Sequence, residues 1–160
     1  MDYYSFRTVI SCIFVIIIYS VLMWVYLSNP STENRIILNV LFICYMIGFV
    51  YLTFLNRNGE RIVFRLNPFG VIYKEINNGD FPYETLLNIL LCIPLGMMLP
   101  FLTNRNVSYK YAAIFGVSVS FCTELLQLIT RLGEFETKDL ITNTIGTIIG
   151  LVIYNKILNR

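Results

Sequence analysis

The chain has 160 residues, of which 56% are hydrophobic and only 14% charged. Soluble domains carry about 25% charged residues, so the composition speaks against an ordinary water-soluble enzyme. Recurrent long apolar runs predict instead an all-α polytopic membrane protein in one compact domain. The net charge of +2 comes without a basic cluster and gives nucleic acid no footing. The absence of histidine removes the usual zinc ligands and every Ser-His or Cys-His arrangement.

Residues 9–27 form the first apolar run, too long for a signal-peptide core and read as a retained helix. Trp24 and Tyr26 stand near its end, at interface depth. Pro30, Ser31 and Thr32 supply a stop and a cap signal, and a second helix is expected over residues 36–55. Residues 1–55 thus make a two-helix anchor without visible chemistry. The four cysteines fall in apolar runs, lack zinc or disulfide spacing, and read as small buried hydrophobes.

Residues 56–82 are long for a connection in so small a chain, and such loops tend to be functional. Ile62, Phe64 and Leu66 alternate with charge, and Phe69, Val71, Ile72, Tyr73 and Ile76 follow. This pattern predicts a path along the membrane surface, with a short amphipathic helix near residues 71–76. A third helix is expected over residues 83–102, with Glu84 and Asn88 one turn apart. Pro94 and Gly96 break it at mid-depth, which lipid tolerates only where neighbours satisfy the freed carbonyl. A short basic loop with Arg105 and Lys110 leads to a fourth helix over residues 109–131. A fifth follows over residues 138–158, marginal in apolar length and open to a re-entrant or tilted reading.

The polar residues inside these greasy helices need a reason. Glu124, Gln127 and Arg131 share one helical face, and Asp139, Asn143, Gly146 and Gly150 share another. Counting crossings puts both sets on the same membrane side as Glu84 and Asn88. Glu124 is the costly one, because a carboxylate at membrane depth costs about 2.5–3.5 kcal/mol. It must be protonated, paired or in a hydrated cavity. Asp139 has a milder explanation at a helix start, where the dipole favours an acid, with Thr137 as candidate cap. Gly146 and Gly150 form GTIIG, a helix-packing signature. Mg²⁺ or Ca²⁺ would accept these oxygen donors, but the spacing matches no metal motif and no cofactor is expected. Glu124 and Asp139, at different depths, are the candidate acid–base pair.

An ordered series of segments carries a resemblance. LNPF at 66–69, NILLCIPLGMMLP at 88–100, TELLQ at 123–127 and GEFETKDLITNTIGTIIG at 133–150 resemble the VanZ-like family of bacterial membrane proteins. The resemblance covers residues 66–154 as a core and treats the first helix as an addition. It implies a place in the bacterial cytoplasmic membrane and an altered response to teicoplanin-type glycopeptides; the count of five membrane helices comes from the apolar runs. It marks Pro68, Phe69, Asn88, Gln127 and Asn143 as binding positions beside Glu124 and Asp139, and Gly146 as a packing position. Arg131 joins the binding set by its shared helical face. Glu136 joins it where members usually carry Asp. It supplies no established reaction, so three readings stay open. They are a modifier of a lipid-linked envelope precursor, a non-catalytic binder that shields the antibiotic target or engages its lipid tail, and a small flippase element.

Orientation rests on the basic residues. With an inside N-terminus the tally is seven against five in favour of that arrangement. Arg61, Arg65 and Lys74 lie within the long loop, however, while the short loop with Arg105 and Lys110 and the tail with Lys156 and Arg160 are free of acids. The expectation is therefore an outside N-terminus, an inside C-terminus and a site opening outward.

Overall fold

The computed structural model describes Tyr19, Val21, Val25 and residues 32–51, 63–77, 83–103, 106–131 and 134–158. Most of the first predicted helix lies outside the described residues, as do residues 52–55 of the second and the turn after Asn77.

Helix α1 spans Thr32–Val50. A two-residue strand β1, Phe64–Arg65, precedes helix α2, Pro68–Asn77. Helices α3, Tyr83–Thr103, and α4, Tyr109–Thr130, form a pair. A second short strand β2, Phe135–Glu136, leads directly into helix α5, Thr137–Ile153. One π-helical turn, Tyr154–Leu158, closes the described chain. The last segment is thus one uninterrupted helix up to Ile153. Among these helices, Glu84–Thr103 and Tyr109–Thr130 are long and apolar enough to cross a bilayer.

Local chemistry sets several of the boundaries. Asn67 accepts from the Phe69 and Gly70 amides at 3.2 and 3.0 Å, and Pro68 fills the first helical position, where a missing N–H costs nothing. LNPF is therefore a helix start, and α2 begins earlier than the expected residues 71–76. Ser108 caps α4 by accepting from the Tyr111 amide at 3.2 Å. The α4 helix ends at Arg131, whose φ of 58° turns the chain left-handed while its N–H serves the last-turn carbonyls of Gln127 and Leu128. The expected cap of α5 is corrected: Glu136 holds the cap position and Thr137 is the first helical residue.

α5 lies against α3 and α4, and glycine makes the approach possible. A Cβ on Gly96 would run into the Thr147 carbonyl, one on Gly146 into the Ile89 carbonyl, and one on Gly150 into the Ile93 carbonyl. A Cβ on Gly116 would stand 3.0 Å from Thr144 Cα. These obstacles are backbone and cannot rotate away. Gly150→Ala is expected to cost about 1–3 kcal/mol, read as a lower unfolding midpoint of the purified protein in detergent.

Tyr45 of α1 stacks on Tyr19 at 5.1 Å, and together with Leu38, Phe49, Cys92, Leu95 and Met98 they form the larger core cluster. The Tyr45 hydroxyl donates to the Leu91 carbonyl, next to the Leu90 carbonyl that Pro94 deprives of its amide. Cys92 is buried in this core, but Cys44 and Cys122 are exposed on outer faces, against the expectation of burial.

α4 and α5 are inside out by the standard of a soluble helix. The buried side of α4 consists of Ala112, Gly116, Ser120, Thr123, Glu124 and Gln127. Its exposed side carries Ile114, Val117, Phe121, Leu125, Leu126 and Ile129. α5 repeats the pattern, burying Lys138, Asp139, Thr142 and Thr147 and exposing Ile141, Ile145 and Ile149. Hydroxyls in both helices donate to the carbonyl four residues back, at 2.6–3.1 Å for Ser118, Thr123, Thr142, Thr144 and Thr147.

Candidate functional site

The polar residues gather where α4 ends, α5 begins and α3 starts. Glu124 is 2% exposed, and its Oε2 accepts the backbone N–H of Glu136 at 2.8 Å. The acid thus takes up a donor at the start of α5, where no side-chain cap bond forms. Gln127 follows one turn later on the same face and is fully buried. Asn143 donates to Ser120 Oγ at 2.9 Å, fastening α5 to α4 one turn below Glu124.

Lys138 is the side chain that organises the other half of the site. It is 2% exposed, and its Nζ lies 3.2 Å from Glu136 Oε2, 3.4 Å from Glu84 Oε2 and 4.0 Å from Asp139 Oδ1. Asp139 is 3% exposed beside it. One buried ammonium therefore ties the start of α3 to the start of α5, as a buried charge requires. A second cation reaches the same carboxylates from the long loop. Arg65 Nε donates to Glu134 Oε2 and lies 3.8 Å from Glu136 Oε1. The bond to Glu134 pushes the Arg65 guanidinium further up from its already high pKa.

The carrier of Arg65 is a structural element the periodicity did not predict. β1 pairs with β2 in parallel, Phe64 opposite Phe135 and Arg65 opposite Glu136. The Phe135 amide donates to the Val63 carbonyl at 2.9 Å. The long loop is thereby strapped across the α4–α5 junction. Asn67→Ala should loosen this end of the strap. Loss of the cap is expected to cost about 1 kcal/mol, seen as faster hydrogen exchange at Phe69 and Gly70.

The sequence-derived positions therefore divide. Glu124, Gln127, Glu136, Asp139 and Asn143 lie together at the junction. Asn88 lies on α3 one turn beyond Glu84, and its Nδ2 is buried without a hydrogen-bond partner among the described residues. Arg131 is exposed at the left-handed end of α4 and does not enter the buried face. Pro68 starts α2, and Phe69 is 74% exposed. Gly146 and Gly150 form the α3–α5 seam. From the sequence alone Lys138 and Arg65 read only as basic charges counted for orientation, Ser120 reads as a hydroxyl with no base beside it, and Glu134 and Thr142 carry no reading. The acidic run around β2, followed by a lysine at the start of an apolar helix, was the available signal for the first two.

Among the described residues no group of three or more His, Cys, Asp and Glu side chains could hold a metal ion. A cavity of about 460 Å³ opens at the far end of the α3–α4 pair, lined by Thr103, Asn106, Val107, Ser108 and Tyr111.

A helical bundle with a polar, carboxylate-rich interior and an apolar outside is matched by one family over most of its length. The VanZ/LLP1 family model matches residues 42–159, and the chain belongs to that family. Over 87 residues it is 32% identical to Protein VanZ of Enterococcus faecium, covering 48% of this chain and 49% of that protein. The chain thus spans about half the length of the curated relative it matches. No solved structure matches it.

Proposed function

We propose that the chain is a multi-pass protein of the bacterial cytoplasmic membrane that acts on a lipid-linked envelope precursor through the Glu124–Asp139 junction. In doing so it changes the cell's response to teicoplanin-type glycopeptides. The observation that carries the membrane reading is the inverted burial of α4, which hides Glu124 and Gln127 and exposes Ile114, Val117 and Leu125. Water would penalise that arrangement, and lipid favours it. α1, α3, α4, α5 and the first apolar segment make five spans, with the α4–α5 junction at one bilayer face. The resemblance to the VanZ-like family marks the positions of Glu124, Gln127, Asp139 and Asn143, which supports a working role for this junction.

In the catalytic form of this reading, Glu124 and Asp139 share proton transfer at a substrate headgroup. Lys138 holds Asp139 and Glu136 in place, and the strapped loop screens the junction from water. The hydrogen bond that the Glu136 backbone N–H donates to Glu124 favours a second reading, in which Glu124 shapes a non-catalytic pocket that binds the precursor or the antibiotic's lipid tail. Both place the site outward, with the N-terminus outside and the C-terminus inside.

Mass spectrometry of lipids and wall precursors from cells with and without the protein tests the proposal. A changed precursor pool together with altered teicoplanin-type susceptibility is expected for the catalytic form. Altered susceptibility over an unchanged pool selects the binder. No change in either removes both readings. Alkaline phosphatase fused after Arg160 should be inactive and a fluorescent protein there bright; the opposite pair reverses the orientation.

A further inference from the structure

α2, which follows directly on β1, carries an exposed apolar face. Phe69, Tyr73 and Ile76 recur at offsets of four and seven, on one helical face. They are 74%, 69% and 59% exposed. Phe64 and Leu66, on one side of the extended chain just before, are 57% and 67% exposed. An apolar stripe of this kind on a short helix demands a cover, since contiguous exposed apolar surface marks an interaction site.

The neighbouring surface names the cover. Phe64 contacts Phe135 at 5.9 Å between ring centroids, and Phe135 contacts Phe121 of α4 at 6.1 Å. Phe121 belongs to the apolar outer face of α4, the face the proposed function turns to lipid. The apolar surface thus runs from α4 through three aromatic rings onto β1 and α2. It leaves α4 at Phe121, in the C-terminal half of that helix, on the way to the α4–α5 junction. We propose that the Phe64–Ile76 stripe is seated in the acyl–headgroup boundary of the bilayer, with α2 lying flat beside the mouth of the carboxylate junction. This rests on the reading of α4 as a membrane span. Because β1 is paired with β2, seating α2 in lipid also fixes Arg65 on Glu134 and Glu136. The lipid surface then acts as the outer wall of the site.

The full chain in phosphatidylcholine nanodiscs, with Trp24→Phe as background, gives a direct test. Tyr73→Trp places a reporter on the stripe, and Phe69→Trp repeats the reading one turn away. An interfacial helix sinks roughly 5–10 Å into the headgroup boundary. Lipids brominated near the top of the acyl chain should therefore quench the reporter several-fold more than lipids brominated near the bilayer centre. Aqueous iodide should scarcely reach it. Absence of quenching by any brominated lipid overturns the proposal. Free iodide access would then mean an open, solvated helix, and shielding from iodide would mean a protein cover such as a second copy. Phe121→Trp separates the two levels. Quenching there but not at position 73 removes the α2 seating alone, whereas quenching at neither position removes the membrane reading as well.

Discussion

Lys138→Met is expected to lower the stability of the protein by about 3–5 kcal/mol, the usual consequence of removing one partner from a buried ion cluster. The ammonium is 2% exposed and faces Glu136 and Asp139, whose side chains are 12% and 4% exposed. Without it these two carboxylates are left buried and close together with no shared cation. Glu84 contributes far less, because its side chain is 69% exposed and water screens it. The loss is expected as a large drop in the unfolding midpoint in detergent. The double variant Lys138→Met with Glu136→Gln should recover part of the drop, since one of the stranded charges is gone. An unchanged midpoint for Lys138→Met would mean that the lysine does not hold these carboxylates together.

Glu124→Gln is expected to abolish protection in a host where the parent chain protects against a teicoplanin-type antibiotic, at unchanged membrane abundance. The amide oxygen of glutamine can still accept the Glu136 N–H, so the contact that joins α4 to the start of α5 survives. What disappears is the ability to hold or give up a proton. Glu124→Ala removes the acceptor as well, strands a buried amide and should cost about 1–3 kcal/mol of stability. The pair therefore separates chemistry from architecture. Loss of protection in both variants, with normal abundance only for the glutamine form, fits acid–base work. Protection kept by glutamine and lost by alanine fits the non-catalytic pocket.

The sequence made the helices legible because their signals are local. The apolar runs act over neighbouring residues, whereas the equally local Ser108 cap and Asn67–Pro68 start go unread, which is why α2 is expected only from residue 71. Glu124, Gln127, Asp139 and Asn143 stood out because polar side chains in apolar helices need compensation. Two parts escaped for physical reasons. The offset that put Arg131 on the face of Glu124 holds only while the helix continues, and the left-handed turn at Arg131 ends it. The β1–β2 pair is two residues long on each side, too short for alternation to announce, and its partners are far apart in the chain. With that pair unseen, Arg65 and Lys138 looked like loop charges rather than counter-ions of one carboxylate group.

That pair also joins distant parts of the chain at little extra cost. Arg65 and Glu134 are separated by 69 positions. The α3–α5 seam already brings Gly146 against the Ile89 carbonyl and Gly150 against the Ile93 carbonyl, pairs that lie almost as far apart in the chain. Loop-closure entropy grows only slowly with length, so once the seam is shut the strap adds little further closure cost. Two residues of strand thus suffice to bring a second cation to Glu136 and a cation to Glu134.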